Sequence, residues 1–286
     1  MYIFHSISMA DQEIVDRVRK EQHHILSSHA FSSLFLWKSN LGLTIYTEAD
    51  FFIVKREDGF FFPCGNVEKT RKFLEEVIIP NKNQLLQLCE RDVAFLRNSY
   101  PGVFSITEDR DESEYIYLKS QQAALERHQF ASTRKKIRKV KTTEQLRFEE
   151  ITAEHKEILL DMTHEWNNQH SEQRGQLYGD TFPALIAIDY FSQLNLSGML
   201  MFAGNVPKAY IVGTGISEDT YDIHFAKCMV KDSGMDLCCK HEFYVRLPEQ
   251  YQYINREDDM GMKGLREAKT DAHPVCLNRV WKGTPV

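Results

Sequence analysis

The run Tyr253-Ile254-Asn255-Arg256-Glu257-Asp258-Asp259-Met260-Gly261-Met262-Lys263-Gly264-Leu265-Arg266-Glu267-Ala268-Lys269 holds the densest set of groups able to do chemistry in this chain. Charges fill Arg256 to Asp259, two glycines lie three apart, and Arg266 and Lys269 follow on a helix-like segment. Glu257 and Asp258 are candidate general bases, and Arg256, Arg266 and Lys269 could hold an anionic substrate group through charge-assisted hydrogen bonds. A glycine costs about 1 kcal/mol in a helix interior relative to alanine, so Gly261 and Gly264 suggest backbone lying close to something. The same letters also describe a charged turn and an ordinary helix start, with Asp258 or Asp259 as N-cap.

A second group of candidates lies upstream. Gly213 and Gly215 interrupt a strand pattern, where glycine marks either a bulge or a closely approaching ligand. His224 alternates with Asp222 and Ala226 on the next strand. Imidazole exchanges protons near neutral pH and could deprotonate an amine nucleophile, although a hydrogen-bonded structural histidine is the plainer reading. Lys227 and Lys231 precede Ser233 and Gly234 at a helix start, where N–H groups and nearby lysines suit a phosphate. Arg134-Lys135-Lys136-Ile137-Arg138-Lys139-Val140-Lys141 forms a helix with Ile137 and Val140 turned inward and its cations outward. That face could grip a polyanion such as tRNA or simply be solvated, and no aromatic residues interleave with it. With no H-E-x-x-H, C-x-x-C or glycine-rich phosphate loop, no metal is expected. Cys64, Cys89, Cys228, Cys238, Cys239 and Cys276 read as buried thiols in a reducing cytoplasm.

Two meanders must carry these residues. Leu43–Thr47, Phe51–Lys55 and Phe60–Pro63 alternate as strands, with Arg56-Glu57-Asp58-Gly59 as a hairpin signal. Helices follow over Val67–Ile78, stopped by Pro80, and over Lys82–Tyr100. The order recurs with strands at Met199–Ala203, Lys208–Ile216 and Tyr221–Ala226, then a helix to about Arg246. Strand Tyr251–Asn255, helix Gly261–Lys269 and strand Val275–Val280 close the chain. Meander, helix, strand, helix, strand is the order of an acyltransferase half, and its repetition suggests tandem domains at 1–120 and 144–286. A basic helical connector over 121–143 joins them.

At 286 residues two domains are an ordinary division, and 42% apolar with 12% aromatic residues is the make-up of a folded protein. A net charge of -6 argues against nonspecific nucleic-acid binding by the whole chain. No apolar run is long enough to span a bilayer, and Met1-Tyr2-Ile3-Phe4-His5 lacks a signal-peptide pattern, so a cytoplasmic location is expected.

The tail run, closed by His273-Pro274-Val275, resembles the C-terminal signature of a bacterial family related to the cytosolic C-terminal domain of phosphatidylglycerol lysyltransferases. The likeness extends to His29-Ala30-Phe31-x-x-Leu34-Phe35-x-Trp37-Lys38 and Phe62-Pro63-Cys64-Gly65. It implies an α+β protein of two tandem GNAT-like domains, with mixed, mainly antiparallel sheets and flanking helices, similar to the Fem peptidyltransferases. It also implies transfer of an acyl group from acyl-CoA, or an aminoacyl group from aminoacyl-tRNA, to an amine or hydroxyl of a small-molecule or peptide acceptor. The basic helix from Arg134 to Lys139 resembles the one between the halves of those enzymes. Two departures count against particular substrates. No many-helix membrane domain is present, against a lipid acceptor, and Lys227–Gly234 lacks the Q/R-x-x-G-x-G/A loop of acetyl-coenzyme A enzymes.

The resulting expectation places a donor carbonyl where the second meander's strands splay near Gly213, Gly215 and His224, with backbone N–H groups steadying the oxyanion. His224 or Glu257 removes the proton, and Arg266 and Lys269 anchor an anion from the facing tail segment. The alternative is a non-catalytic module that binds a phosphate-containing ligand or an anionic lipid headgroup. A nucleic-acid-binding protein is a third reading.

Overall fold

The structure is a computed structural model and describes residues 1–170, 179–231 and 233–286. The chain forms two compact units, one of Met1–Ile116 with Glu257–Val286 and one of Tyr117–Arg256. The division expected from the sequence, at 1–120, 121–143 and 144–286, differs from this grouping, which assigns the tail signature to the first unit.

In the first unit the expected meander forms as β2 (Thr44–Glu48), β3 (Phe51–Arg56) and β4 (Gly59–Phe61), preceded by β1 (His5–Ser6) and followed by β5 (Cys64–Gly65). Arg56 pairs with Gly59, so Glu57 and Asp58 make the hairpin turn. Helices α1 (Gln12–Glu21) and α2 (Phe31–Trp37) precede the meander. Helix α3 (Val67–Phe73) starts on Asn66, whose side chain accepts from the Glu68 and Lys69 N–H groups, and continues through a wider turn over Leu74–Ile78.

One expectation fails here. Instead of a helix over Lys82–Tyr100, Leu85–Leu88 is a fully buried strand, β6, parallel to β4, and α4 spans only Glu90–Ser99. A short apolar run buried all round reads equally well as strand or helix, and the pairing Phe60↔Leu85 and Phe61↔Leu86 decides it. Cys89 and Asp92 open α4 as a capping box, with Asp92 Oδ2 accepting the Cys89 N–H at 2.9 Å. Strands β7 (Phe104–Glu108) and β8 (Glu114–Leu118) follow, and β8 leads the chain into the second unit.

The second unit starts with α5 (Lys119–Ala124) and the basic helix α6 (Ala131–Thr143), in which Ile137 and Val140 are buried as their spacing predicts. Strand β9 (Leu146–Glu150), helices α7 (Lys156–His170) and α8 (Thr181–Asp189), and strands β10 (Ser197–Ala203), β11 (Val206–Gly215) and β12 (Thr220–Cys228) come next. Helix α9 (Ser233–Arg246) and β13 (Tyr253–Asn255) complete it. Strands β9 to β12 pair antiparallel in sequence order, whereas β13 runs parallel to β12.

The chain then returns to the first unit through α10 (Lys263–Asp271), β14 (Cys276–Asn278) and β15 (Trp281–Pro285). Strand β15 lies between β6 and β7, completing a sheet in the order β1-β2-β3-β4-β6-β15-β7 with β5 on β3. Its core joins Phe51, Phe60, Phe73, Leu85 and Leu96.

The β11/β12 register shifts between Val212 and Gly213, so Phe225 faces Val212, Ile223 faces Gly213, and His224 is the extra residue of a bulge. A Cβ on Gly213 would lie 2.0 Å from the Asp222 carbonyl oxygen. The glycine therefore serves the bulge that sets His224. At Gly215 a Cβ would lie 2.2 Å from the Tyr251 hydroxyl, so the close neighbour there is also the protein's own side chain. Replacing Gly213 with alanine forces backbone to move and is expected to destabilise the second unit by about 2 kcal/mol or more. A denaturant midpoint unchanged from wild type would contradict this origin of the bulge.

Candidate functional site

The tail signature folds into an ion-pair lock of the first unit. Asp259 is fully buried, and its Oδ2 accepts from Arg266 Nε at 2.9 Å, the Tyr115 hydroxyl at 2.6 Å and Arg110 Nη1 at 3.2 Å. Its Oδ1 accepts from Arg266 Nη2 at 2.7 Å and the Gly261 N–H at 3.0 Å. Arg266 Nη2 also reaches Asp111 Oδ1 at 2.6 Å. Gly261 has φ +69, and a Cβ there would lie 2.8 Å from Asp111 Oδ2, so the close approach expected of this glycine is to its own chain. A Cβ on Gly264 would meet nothing within 4 Å among the described residues, so the close approach expected of this glycine is not found among them.

Burial raises Asp259, but the hydrogen bonds from Arg266, Tyr115 and the Gly261 N–H outweigh it and hold the carboxyl down at about 2. Asp258 goes the other way: burial pushes it up, with Lys269 opposing and Glu257 reinforcing the rise. Lys269 is buried and donates to the Asp258 carbonyl. Arg266 and Lys269, expected to anchor an anionic substrate, are thus engaged within their own unit. Glu257 has a left-handed φ of 55, and its carbonyl accepts the Tyr115 N–H at 3.1 Å.

The second unit holds a different concentration of charge. Strand β12 carries Asp222, His224 and Lys227, which are 0%, 6% and 1% exposed. Interior charge is costly unless paired, and these residues have partners. His224 Nδ1 lies 3.4 Å from Asp222 Oδ2, with both side chains wholly covered. Lys227 Nζ lies 3.0 Å from Asp180 Oδ2 and 3.4 Å from the centre of the Trp166 ring, so a carboxylate and an aromatic face replace its water. Thr163 on α7 bonds the Tyr210 hydroxyl at 2.7 Å, and Tyr210 pairs with Lys227 across the strands.

The parallel β12/β13 pairing covers only Thr220–Asp222 against Tyr253–Asn255. His224 and Lys227 therefore lie on the part of β12 beyond its last pair with β13, and Asn255, at that last pair, is fully buried. Arg256, the last residue of this unit, lies over the Tyr117 ring at 5.2 Å.

Lys227 does not belong to a phosphate loop, contrary to what its place in the sequence suggests. Strand β12 runs to Cys228, so Lys227 points into the interior and not toward the start of α9. Lys231 is exposed, Gly234 lies in the first turn of α9, and the Ser233 side chain lies outside the described set. Of the basic residues on α6, Lys135, Lys136, Arg138 and Lys139 are exposed or partly so, while Arg134 is turned back to the Leu125 and Arg127 carbonyls. Asp180 and Trp166 had no signal in the sequence, because α7 and α8 bring them to Lys227 from a distance along the chain.

The family described as phosphatidylglycerol lysyltransferase, C-terminal, matches residues 19–281. The chain belongs to this family. A conserved protein of unknown function from Bacteroides thetaiotaomicron is 28% identical, with a TM-score of 0.91 and 100% of both chains covered. The C-terminal domain of a putative lysylphosphatidylglycerol synthetase from Agrobacterium fabrum is 12% identical at a TM-score of 0.67, covering 97% of this chain and 92% of that one. FemX is 7% identical at a TM-score of 0.59, covering 99% of this chain and 96% of its own. No curated protein matches. These likenesses establish the α+β fold of two tandem GNAT-like domains, and family membership supports a transferase-type function. Among the described residues no helix is long and apolar enough to cross a membrane.

Two outcomes test the roles drawn here. Asp259→Asn is expected to cost about 3 kcal/mol by leaving Arg266 and Arg110 without their buried carboxylate. Because Asp259 titrates lower when folded, its contribution is complete above its ordinary 3.8 and is lost as pH falls through about 2. Acid unfolding of Asp259→Asn that matched wild type would contradict the lock. Lys227→Met keeps the stem over Trp166 but leaves Asp180, itself 29% exposed, without its cation, so its melting temperature is expected to fall only modestly. A large drop would show that the cation is needed for folding.

Proposed function

We propose that the second unit performs acyl or aminoacyl transfer to an amine or hydroxyl, with His224 as general base and Asp222 as the residue that orients it. One observation carries this reading: a central strand holds an acid–histidine pair and a lysine in the interior, on the stretch reaching past its parallel partner. A core has no use for such groups, and strongly desolvated titratable residues concentrate at working sites.

The chemistry follows from the geometry. Asp222 faces Nδ1 of the imidazole, which leaves Nε2 to take the proton from an attacking nitrogen or oxygen. The new bond forms from that atom to the donor carbonyl carbon, the bond to the donor's ester oxygen or thioester sulfur breaks, and the proton passes from Nε2 to the leaving atom. The buried Lys227 ammonium group provides a polar, water-poor surrounding for the oxyanion. The outward-facing cations of α6 fit a polyanionic donor, which favours aminoacyl-tRNA over a small thioester. The family's name adds lysyl as the group and phosphatidylglycerol as an acceptor to try first. Fold alone does not fix the reaction.

A binding module without chemistry is favoured by one observation, the complete cover over the Asp222 and His224 side chains. The assay supplies tRNA charged with isotope-labelled amino acids, and in parallel labelled acyl-CoAs, to phosphatidylglycerol vesicles and to amine acceptors. His224→Gln is expected to slow transfer by about a hundredfold or more while keeping a cooperative melt. A folded His224→Gln protein that transfers at the wild-type rate would overturn the assignment, and a wild-type protein that binds donor without turnover would establish the binding module.

A further inference from the structure

The first unit contains a second cluster of chemistry-bearing side chains, unrelated to the proposed transfer. The chain leaves α1 through His23, whose left-handed φ of 48 turns the backbone so that the His24 N–H returns to the Arg19 carbonyl at 3.1 Å. That turn drives His24 inward, where it is 4% exposed, and neither ring nitrogen has a hydrogen-bond partner among the described residues. The His29 ring packs on it at 4.0 Å and is itself fixed by Nε2 against the Phe62 carbonyl at 3.1 Å. The start of α4 brings Cys89 and Asp92, which are 4% and 3% exposed. A ligand atom from each of His24, Cys89 and Asp92 lies within 4.8 Å of the other two.

Burying an imidazole with both nitrogens unsatisfied costs free energy that an ordinary core position would not demand. An imidazole nitrogen, a sulfur and a carboxylate converging on one point form a mixed donor set of the zinc type. We propose that His24, Cys89 and Asp92 form a three-ligand site for a zinc-type divalent cation, with the fourth position left to a water, tying the end of α1 to the start of α4.

Charge supports this choice of ion. A thiolate and a carboxylate bring two negative charges, which cancel a dication, and a neutral imidazole adds none. The His24 ring nitrogens, neither of them in a hydrogen bond among the described residues, leave a lone pair to donate. Loading breaks the Cys89 S–H bond, forms the metal–sulfur bond and releases one proton to solvent. Asp92 uses Oδ2 for the helix cap, and Oδ1 faces the half-exposed Arg91 at 3.8 Å, a weak pair that can open toward water. Metal–nitrogen and metal–sulfur bonds of about 2.0 and 2.3 Å require the three donors to close in slightly.

The test uses the whole chain, stripped with a chelator and reloaded with zinc or cobalt(II), then freed of excess metal. Elemental analysis is expected to find one zinc per chain. The cobalt form is expected to show a thiolate-to-cobalt charge-transfer band that Cys89→Ser removes and Cys276→Ser, at an exposed cysteine, leaves intact. His24→Ala is expected to weaken zinc by about tenfold or more, since loss of a mere supporting residue already costs that much. Should His24→Ala fail to fold, the wild-type and Cys89→Ser cobalt spectra decide the matter. Absence of the band in the wild type, its survival in Cys89→Ser, or zinc held only by surface histidines without a band would each overturn the site.

Discussion

Strand β12 holds Asp222, His224 and Lys227 out of water between an antiparallel neighbour and a parallel one that stops early. Three residues of the second unit answer to that constraint. Gly213 permits the bulge that makes His224 the extra residue, because any larger residue would strike the Asp222 carbonyl. Helix α7 supplies Trp166 and the N-cap of α8 supplies Asp180 around the Lys227 amine. Replacing such groups by hydrocarbon of equal volume often leaves a protein equally or more stable. Their presence is therefore better explained by what they do to a bound group than by what they add to folding.

The first unit spends its tail charges differently. Asp259 receives hydrogen bonds from two arginines, a tyrosine and a backbone N–H, and it ties the returning chain to the Arg110–Tyr115 segment. A dense acid-then-base pattern can thus mark an internal lock as readily as a catalytic centre, and the pattern alone does not separate the two. The partner of Arg266 decides it: two carboxylates already occupy its guanidinium.

The strands are legible in the sequence wherever alternation and a turn signal coincide, as in Phe51–Arg56 with its Glu57-Asp58 turn and in the three strands from Ser197 to Cys228. Leu85–Leu88 is not, because a run buried on all sides loses the alternation that separates strand from helix. The return of Trp281–Pro285 into the first sheet also leaves no local trace, since its partners Leu85, Leu88 and Phe104–Glu108 lie far away in sequence. Within the site, His224 stands out as a polar residue in an apolar strand. Asp222 is visible beside it, but alternation alone does not mark it as the partner of the imidazole. Lys227 reads as part of a loop, because the strand extends farther than its apolar alternation suggests. Asp180 and Trp166 become part of the site only through packing.

A double-mutant cycle on Asp222 and His224, measured as single-turnover transfer of labelled aminoacyl groups, addresses the central claim most directly. If the carboxylate acts through the imidazole, Asp222→Asn combined with His224→Gln will be about as slow as His224→Gln alone. Losses that simply multiply in the double variant, or single variants that transfer as fast as wild type, would contradict it.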